Sequence, residues 1–316
     1  MKIVVGVPTY KRPHELEALL PLLLAQADEL VDREVAILVV DNDPAATARR
    51  VAQGGGDRVH YAVEPTPGIA AVRNRILDVA TDDLRADLVV MIDDDERPEA
   101  GWLTALVDTQ VRTGAVLVAG VVVPQFEAEL DPWIAAGRFH TRFHTQKKLS
   151  TGSAIDVAAA GNLLLDARQL RMIGQRFDER VGLAGGEDTL FSRELHSRGG
   201  SMVWCAEAVA IDRVPLDRMT RRWVLARAMS HGDATIRVGL QLRPPSKRPT
   251  YRVRSVLGGV ARVVGGGARA ATGELLRRPV DSARGVRTAM RGVGMVRGAL
   301  GLHHVEYARE EPRAAA

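Results

Sequence analysis

A chain of 316 residues with 46% hydrophobic and 26% charged side chains can bury a full core, and its length suggests about two domains. Its one cysteine, Cys205, excludes an internal disulfide and the four-thiolate zinc sites, so a reducing compartment and a small buried side chain are expected. The net charge of +4 hides an asymmetry: from Arg218 onward 20 Lys+Arg face 6 Asp+Glu (+14), whereas residues 1–217 carry 23 against 33 (−10), so the second part is suited to an anionic partner such as membrane lipid or nucleic acid.

The N-terminal run Lys2 to Val7 predicts a short strand, followed by a leucine-rich helix from Pro13 through Ala27. The run before Pro8 is too short for a secretory leader, and no stretch approaches ~18 unbroken apolar residues, so neither export nor a membrane-crossing helix is expected and the protein reads as cytoplasmic. Val35 to Val40 predicts a second strand ending at Asp41, and Pro44 a helix to about Gln53. Arg58 to Val63 and Leu88 to Ile92 predict two more strands, with a helix over Ile69 to Ala80 between them. This alternation predicts an α/β fold with a largely parallel central sheet flanked by helices. A helix from about Pro98 to Thr113, a strand from Ala115 to Val123 and an irregular connection from Pro124 to Ser150 follow. In that connection His140 and His144 have the i, i+4 spacing of metal ligands without a third ligand nearby, so they read as ordinary loop histidines. Strands are expected at Ile155 to Ala160, Asn162 to Leu165, Met202 to Cys205 and Ala208 to Val214, with a polar helix from Thr189 to about Arg198.

The stretch Leu88 to Glu99, LVVMIDDDERPE, runs a fully apolar strand into Asp93, Asp94 and Asp95. Sheets covered on both faces bind ligands beyond the carboxyl ends of their strands. Three adjacent carboxylates repel one another, and a hard cation such as Mg²⁺ or Mn²⁺ would keep them ionised; a solvated acidic turn has the same sequence.

Taken together, VGVPTYKRP, Asp41 in VVDND, Gly68 with Arg73 and Asn74 in PGIAAVRNRILD, the IDDDE run, Gly161–Asn162 and GGEDTLFSREL resemble a family 2 glycosyltransferase of GT-A fold, in the manner of bacterial succinoglycan-type glucosyltransferases. The resemblance covers roughly residues 1 to 230. It implies inverting, metal-dependent transfer of one sugar from a nucleotide diphosphate sugar, with a UDP-sugar expected, to a glycan, lipid-linked or other hydroxyl acceptor in envelope or exopolysaccharide synthesis. Pro8, Thr9, Tyr10, Arg12, Asp41, Arg73, Asp93 and Asp94 would contact the donor, and Asp95 with Asp93 would meet Mn²⁺ or Mg²⁺. Asp188 would be the general base, with Glu187 supporting it or the acceptor; the same two carboxylates could simply cap the helix that follows. Arg218, Arg221, Arg222 and Trp223 resemble an element of processive relatives, but Met219 replaces its glutamine, so single-sugar transfer is expected. A sugar nucleotidyltransferase is disfavoured because VPTYKRP lacks a glycine- and lysine-rich loop, and a non-catalytic membrane-surface scaffold because both DDD and GGED are present.

The division expected is a catalytic domain over 1–217 and a basic, mainly helical region over 218–316. Its helical stretches from Tyr251 onward, with Arg284, Arg287 and Arg291 beside Val286, Ala289, Met290, Val293 and Val296, suit either an anionic membrane surface or packing as an appendage; nucleic acid is not the expected partner, and Glu310 to Ala316 are expected without structure.

Overall fold

The computed structural model describes residues 1–141, 149–181 and 185–302. His144, half of the histidine pair, and Glu310 to Ala316 lie outside the described residues. The chain divides into two units: one holds Met1–Leu130, His140–Asp178 and Asp188–Met219, the other Asp131–Phe139, Glu179–Glu187 and the chain from Thr220.

The first unit is built on an eight-stranded sheet of the described residues. Its strands are β1 (Lys2–Thr9), β2 (Glu34–Asp41), β3 (Val59–Val63), β4 (Leu88–Ile92), β5 (Glu96–Pro98), β6 (Leu117–Phe126), β7 (Asn162–Asp166) and β8 (Met202–Val214), in spatial order β3-β2-β1-β4-β7-β6-β8-β5. The first four strands are parallel, as the alternation with helices predicts. β7 then runs antiparallel to both β4 and β6, and β5 antiparallel to β8, so the second half is mixed.

Residues of β1 alternate between two cores. Ile3, Val5 and Val7 pack with Leu16, Leu19 and Leu23 of α1 (Pro13–Glu29) and with Trp102 and Leu106 of α4 (Trp102–Thr113). Val4, on the other face, joins Val72 and Ile76 of α3 (Ile69–Asp78), which follows the short α2 (Arg49–Gln53). A Cβ at Gly6 would stand 2.3 Å from Ile76 Cγ2, so glycine is what lets α3 lie this close to the sheet.

Several local expectations are corrected. Pro98 does not open a helix. It ends β5, opposite Ala210 of β8, and an edge strand tolerates its missing N–H; the helix begins at Trp102, after Gly101 turns the chain at φ 75°. Residues 155–160 form no strand; the neighbouring Ala154 makes one isolated bridge to Val203. The two expected closing strands are one, β8, whose register against β6 shifts between Ala119 and Val121. The stretch after Pro124 is partly regular: β6 continues to Phe126, and α5 (Pro132–Gly137) is capped by Asp131, whose Oδ1 accepts from Trp133 N at 2.7 Å. Helices α6 (Ala167–Ile173) and α7 (Glu187–Ser197) complete the series before β8.

The second unit holds α5 and three long helices, α8 (Arg221–Gln241), α9 (Arg248–Leu275) and α10 (Pro279–Leu300). Glycine should weaken such helices in isolation. Here it sets their separation. A Cβ at Gly266 of α9 would fall 2.6 Å from Ala289 N, and one at Gly285 of α10 would fall 2.4 Å from Ala270 N, so the two backbones touch where side chains are absent. Opposite this seam α9 turns Val253, Leu257, Val260, Val264 and Leu275 to solvent, each between 48% and 83% exposed.

Candidate active site

The carboxyl ends of the parallel strands carry the polar side chains that the apolar sheet interior cannot. At the end of β1, Thr9 Oγ1 donates to Asp94 Oδ2 at 2.9 Å, and Arg12 Nη1, just before α1, donates to Asp94 Oδ1 at 3.0 Å and Asp95 Oδ2 at 2.9 Å. Pro8 lies within β1 beside Val40, and Tyr10 stands half-buried beyond it with the Lys11 ammonium 5.2 Å from its ring centroid. From α3, Arg73 Nη2 donates to Asp93 Oδ1 at 3.3 Å, its guanidinium lying 5.7 Å from the Phe177 ring centroid. Arg218, in the turn after β8, donates from Nη1 to Asp95 Oδ2 at 3.4 Å. One hydrogen-bonded cluster thus joins Thr9, Arg12, Asp94, Asp95 and Arg218, with the Arg73–Asp93 pair on the adjoining residue.

This changes the electrostatic account of the acidic run. Three guanidinium groups from three segments face its carboxylates, so the protein itself supplies cations to oppose their mutual repulsion. Burial, with help from the charges on Asp95 and Asp93, pushes the Asp94 carboxyl up to about 6 against the pull of Arg12 and Thr9. The side chains of Asp93 and Asp95 are 33% and 21% exposed, whereas that of Asp94 is 7%. Gly161, before β7, faces the same carboxylates: a Cβ there would stand 2.7 Å from Asp93 Oδ2 and 2.8 Å from Glu96 Oε1.

Asp41 is tied up differently. Fully buried, it accepts from Asp43 N and Ala48 N, both at 2.9 Å, and from Tyr61 Oη at 3.0 Å; burial and this bond push the Tyr61 hydroxyl pKa up. It therefore shapes the loop after β2. Asn42 clasps that loop to the next, donating to Glu64 O and Thr66 O at 2.6 and 2.7 Å while accepting from Gly68 N at 3.2 Å. Asn162 also serves the frame, donating to Val121 O and Ala208 O and accepting from Trp102 Nε1 at 2.9 Å. Asp188, half-buried in the first turn of α7, accepts on Oδ1 from Thr189 N at 2.6 Å and Thr189 Oγ1 at 3.2 Å. Glu187 belongs to the second unit and is buried there; Arg237, which feels its charge, donates to Gly185 O at 2.8 Å. Gly185 and Gly186 both hold positive φ, 74° and 89°.

Among the described residues no group of three His, Cys, Asp or Glu side chains forms a cation cage. Mg²⁺-type ions in phosphate chemistry are commonly held by one or two carboxylates together with the phosphates of the substrate. The partly exposed carboxylates of Asp93 and Asp95 fit that pattern.

The family model for glycosyl transferase family 2 matches residues 4–170. The chain is also 30% identical to the succinoglycan biosynthesis protein ExoM of Rhizobium meliloti (strain 1021), over 97% of this chain and 95% of that protein. The chain belongs to glycosyltransferase family 2. Its fold resembles that of the mannosyltransferase PcManGT from Pyrobaculum calidifontis, solved in complex with GDP-Man and Mn²⁺, with a TM-score of 0.62 and 17% identity over 94% of this chain and 86% of that one. Similarity to S. aureus TarS is lower, with a TM-score of 0.51 and 13% identity over 80% of this chain and 47% of that one. This family 2 glycosyltransferase has the expected GT-A-like arrangement of sheet and helices. Arg218 and Glu96 stand beside the acidic run with little signal of their own in the sequence: Arg218 belongs to an element whose leading glutamine is Met219, and Glu96 is one more acid after the triplet.

Proposed function

We propose that the chain is an inverting glycosyltransferase that moves one sugar from a nucleoside diphosphate sugar, UDP-linked by preference, to a hydroxyl of a glycan or lipid-linked acceptor in exopolysaccharide assembly. The observation that carries this reading is the convergence of Arg12, Arg73 and Arg218 on Asp93 to Asp95 at the carboxyl edge of the sheet. A diphosphate entering there would meet three forked donors suited to its oxygens. Asp95 and Asp93 would hold Mn²⁺ or Mg²⁺, which when bound supplies Lewis-acid neutralisation of the departing diphosphate. Thr9, Tyr10 and the loops shaped by Pro8 and Asp41 would receive the nucleoside. The acceptor oxygen attacks the anomeric carbon as the bond from that carbon to the phosphate oxygen breaks; the hydroxyl proton passes to the Asp188 carboxylate, and the nucleoside diphosphate leaves. Glu187 would support the loop carrying that base.

The relationship to ExoM supports the exopolysaccharide setting, and PcManGT, bound to a nucleotide sugar and Mn²⁺, supports a divalent ion and a nucleotide donor. No described helix is long and apolar enough to cross a membrane. The second unit would instead lie against an anionic membrane face, with the outward apolar stripe of α9 inserted and its arginines at the phosphates. Incubation with a panel of UDP- and GDP-sugars plus Mn²⁺, reading release of the nucleoside diphosphate, tests the reaction. Release from at least one donor is expected; release from none would overturn it.

A further inference from the structure

The second unit contains a cluster of cations that the donor chemistry does not use. Arg284, Arg287 and Arg291 stand at i, i+3 and i+7 on α10 and share one helix face, where like charges repel. The end of α5 holds two of them: Arg284 Nε donates to Ala136 O at 3.3 Å and Arg287 Nη1 to Gly137 O at 3.0 Å, while Arg287 also lies 5.8 Å from the Phe139 ring centroid. Among the described residues none of the three meets a carboxylate, and nearby acids of this unit are committed elsewhere. Asp131 pairs with Arg221 at 2.8 Å, Asp281 with Arg269 at 2.8 Å and Asp233 with Arg237 at 3.8 Å, while Glu274 accepts from Ser282. Burial first, and then the charges of Arg291 and Arg284, lower Arg287 to about 10. Three guanidinium groups on one helix face with no described carboxylate among them call for an anion supplied from outside, and their forks match the oxygens of phosphate better than those of any neutral ligand.

We propose that Arg284, Arg287 and Arg291 form an oxyanion site that takes a phosphate or diphosphate group, carried either by a phosphorylated acceptor or by a membrane lipid headgroup. The assignment to an acceptor rests on the transferase reading; the site itself does not. Calorimetric titration of the full chain with inorganic pyrophosphate tests it. Relative to wild type, Arg287→Gln/Arg291→Gln is expected to lose one class of pyrophosphate binding by at least about tenfold while UDP affinity in Mn²⁺ stays within about twofold. Superimposable pyrophosphate isotherms would overturn the site. If the glutamine variant unfolds, Arg287→Lys/Arg291→Lys, which keeps the charge and loses the forks, is read instead: weaker binding supports the proposal and unchanged binding overturns it. Sedimentation with phosphatidylcholine vesicles, with and without phosphatidic acid, distinguishes the two sources. Loss of phosphatidic acid binding in the variant assigns the headgroup, and unchanged vesicle binding with lost pyrophosphate binding assigns the acceptor. Failure of UDP to bind in Mn²⁺ would count against the transferase reading and leave the pyrophosphate result standing.

Discussion

At the scale of single residues, the acidic run divides into carboxylates with different environments. Asp94 is buried against Thr9 and Arg12, whereas the side chains of Asp93 and Asp95 are partly exposed. With its carboxyl pushed up to about 6, Asp94 takes a proton as the pH falls through that value and its ion pair with Arg12 is lost. Turnover is therefore expected to drop below about pH 6, and the inflection to disappear from the pH–rate profile of Asp94→Asn. The linkage to stability has the opposite sign. A carboxyl raised in the folded state favours folding below its ordinary value of 3.8, and that contribution is lost as the pH rises towards 6, by about 3 kcal/mol if the whole shift is expressed. Denaturant midpoints of wild type and Asp94→Asn between pH 4 and 7 should diverge accordingly. Gly161 gives a steric test. Its missing Cβ is where Asp93 Oδ2 and Glu96 Oε1 converge, so Gly161→Ala is expected to cost about tenfold or more in kcat by displacing Asp93. A steady-state assay showing wild-type kcat would contradict that placement.

At the scale of elements, the sequence was most legible where a pattern had one physical meaning. The runs at Val35 to Val40 and Leu88 to Ile92 are apolar on both faces, and both form covered strands. β5 was not legible: three residues have no period, and its partner lies over a hundred residues away in β8. Of the candidate site, the acidic run and Arg73 could be seen as chemistry, but the saturation of Asp41 by two backbone N–H groups and Tyr61 depends on a loop conformation that composition does not encode. The glycines of α9 and α10 read as helix weakeners, yet Gly266 and Gly285 sit where backbones touch. Gly285→Leu should therefore destabilise the second unit by about 1–3 kcal/mol or more, because added side-chain volume has no room. A lowered thermal midpoint with an intact far-ultraviolet spectrum checks this.

At the scale of the whole molecule, the charge asymmetry of the chain corresponds to a basic second unit whose α9 leaves a charge-free apolar stripe exposed. Leu257→Ser/Val264→Ser is expected to weaken sedimentation with anionic vesicles without altering transfer to a soluble acceptor, and added salt should weaken the wild-type interaction in part only, since the apolar term is not screened. In the proposed reaction the acidic tip holds the donor diphosphate and Asp188 takes the acceptor proton. Nucleotide affinity and turnover, taken together for Asp95→Ala and Asp188→Asn in the presence of Mn²⁺, separate these two roles. Asp95→Ala is expected to lose both by about a hundredfold or more, whereas Asp188→Asn is expected to lose turnover and keep its affinity. Wild-type affinity and turnover in Asp95→Ala, or wild-type turnover in Asp188→Asn, would contradict it.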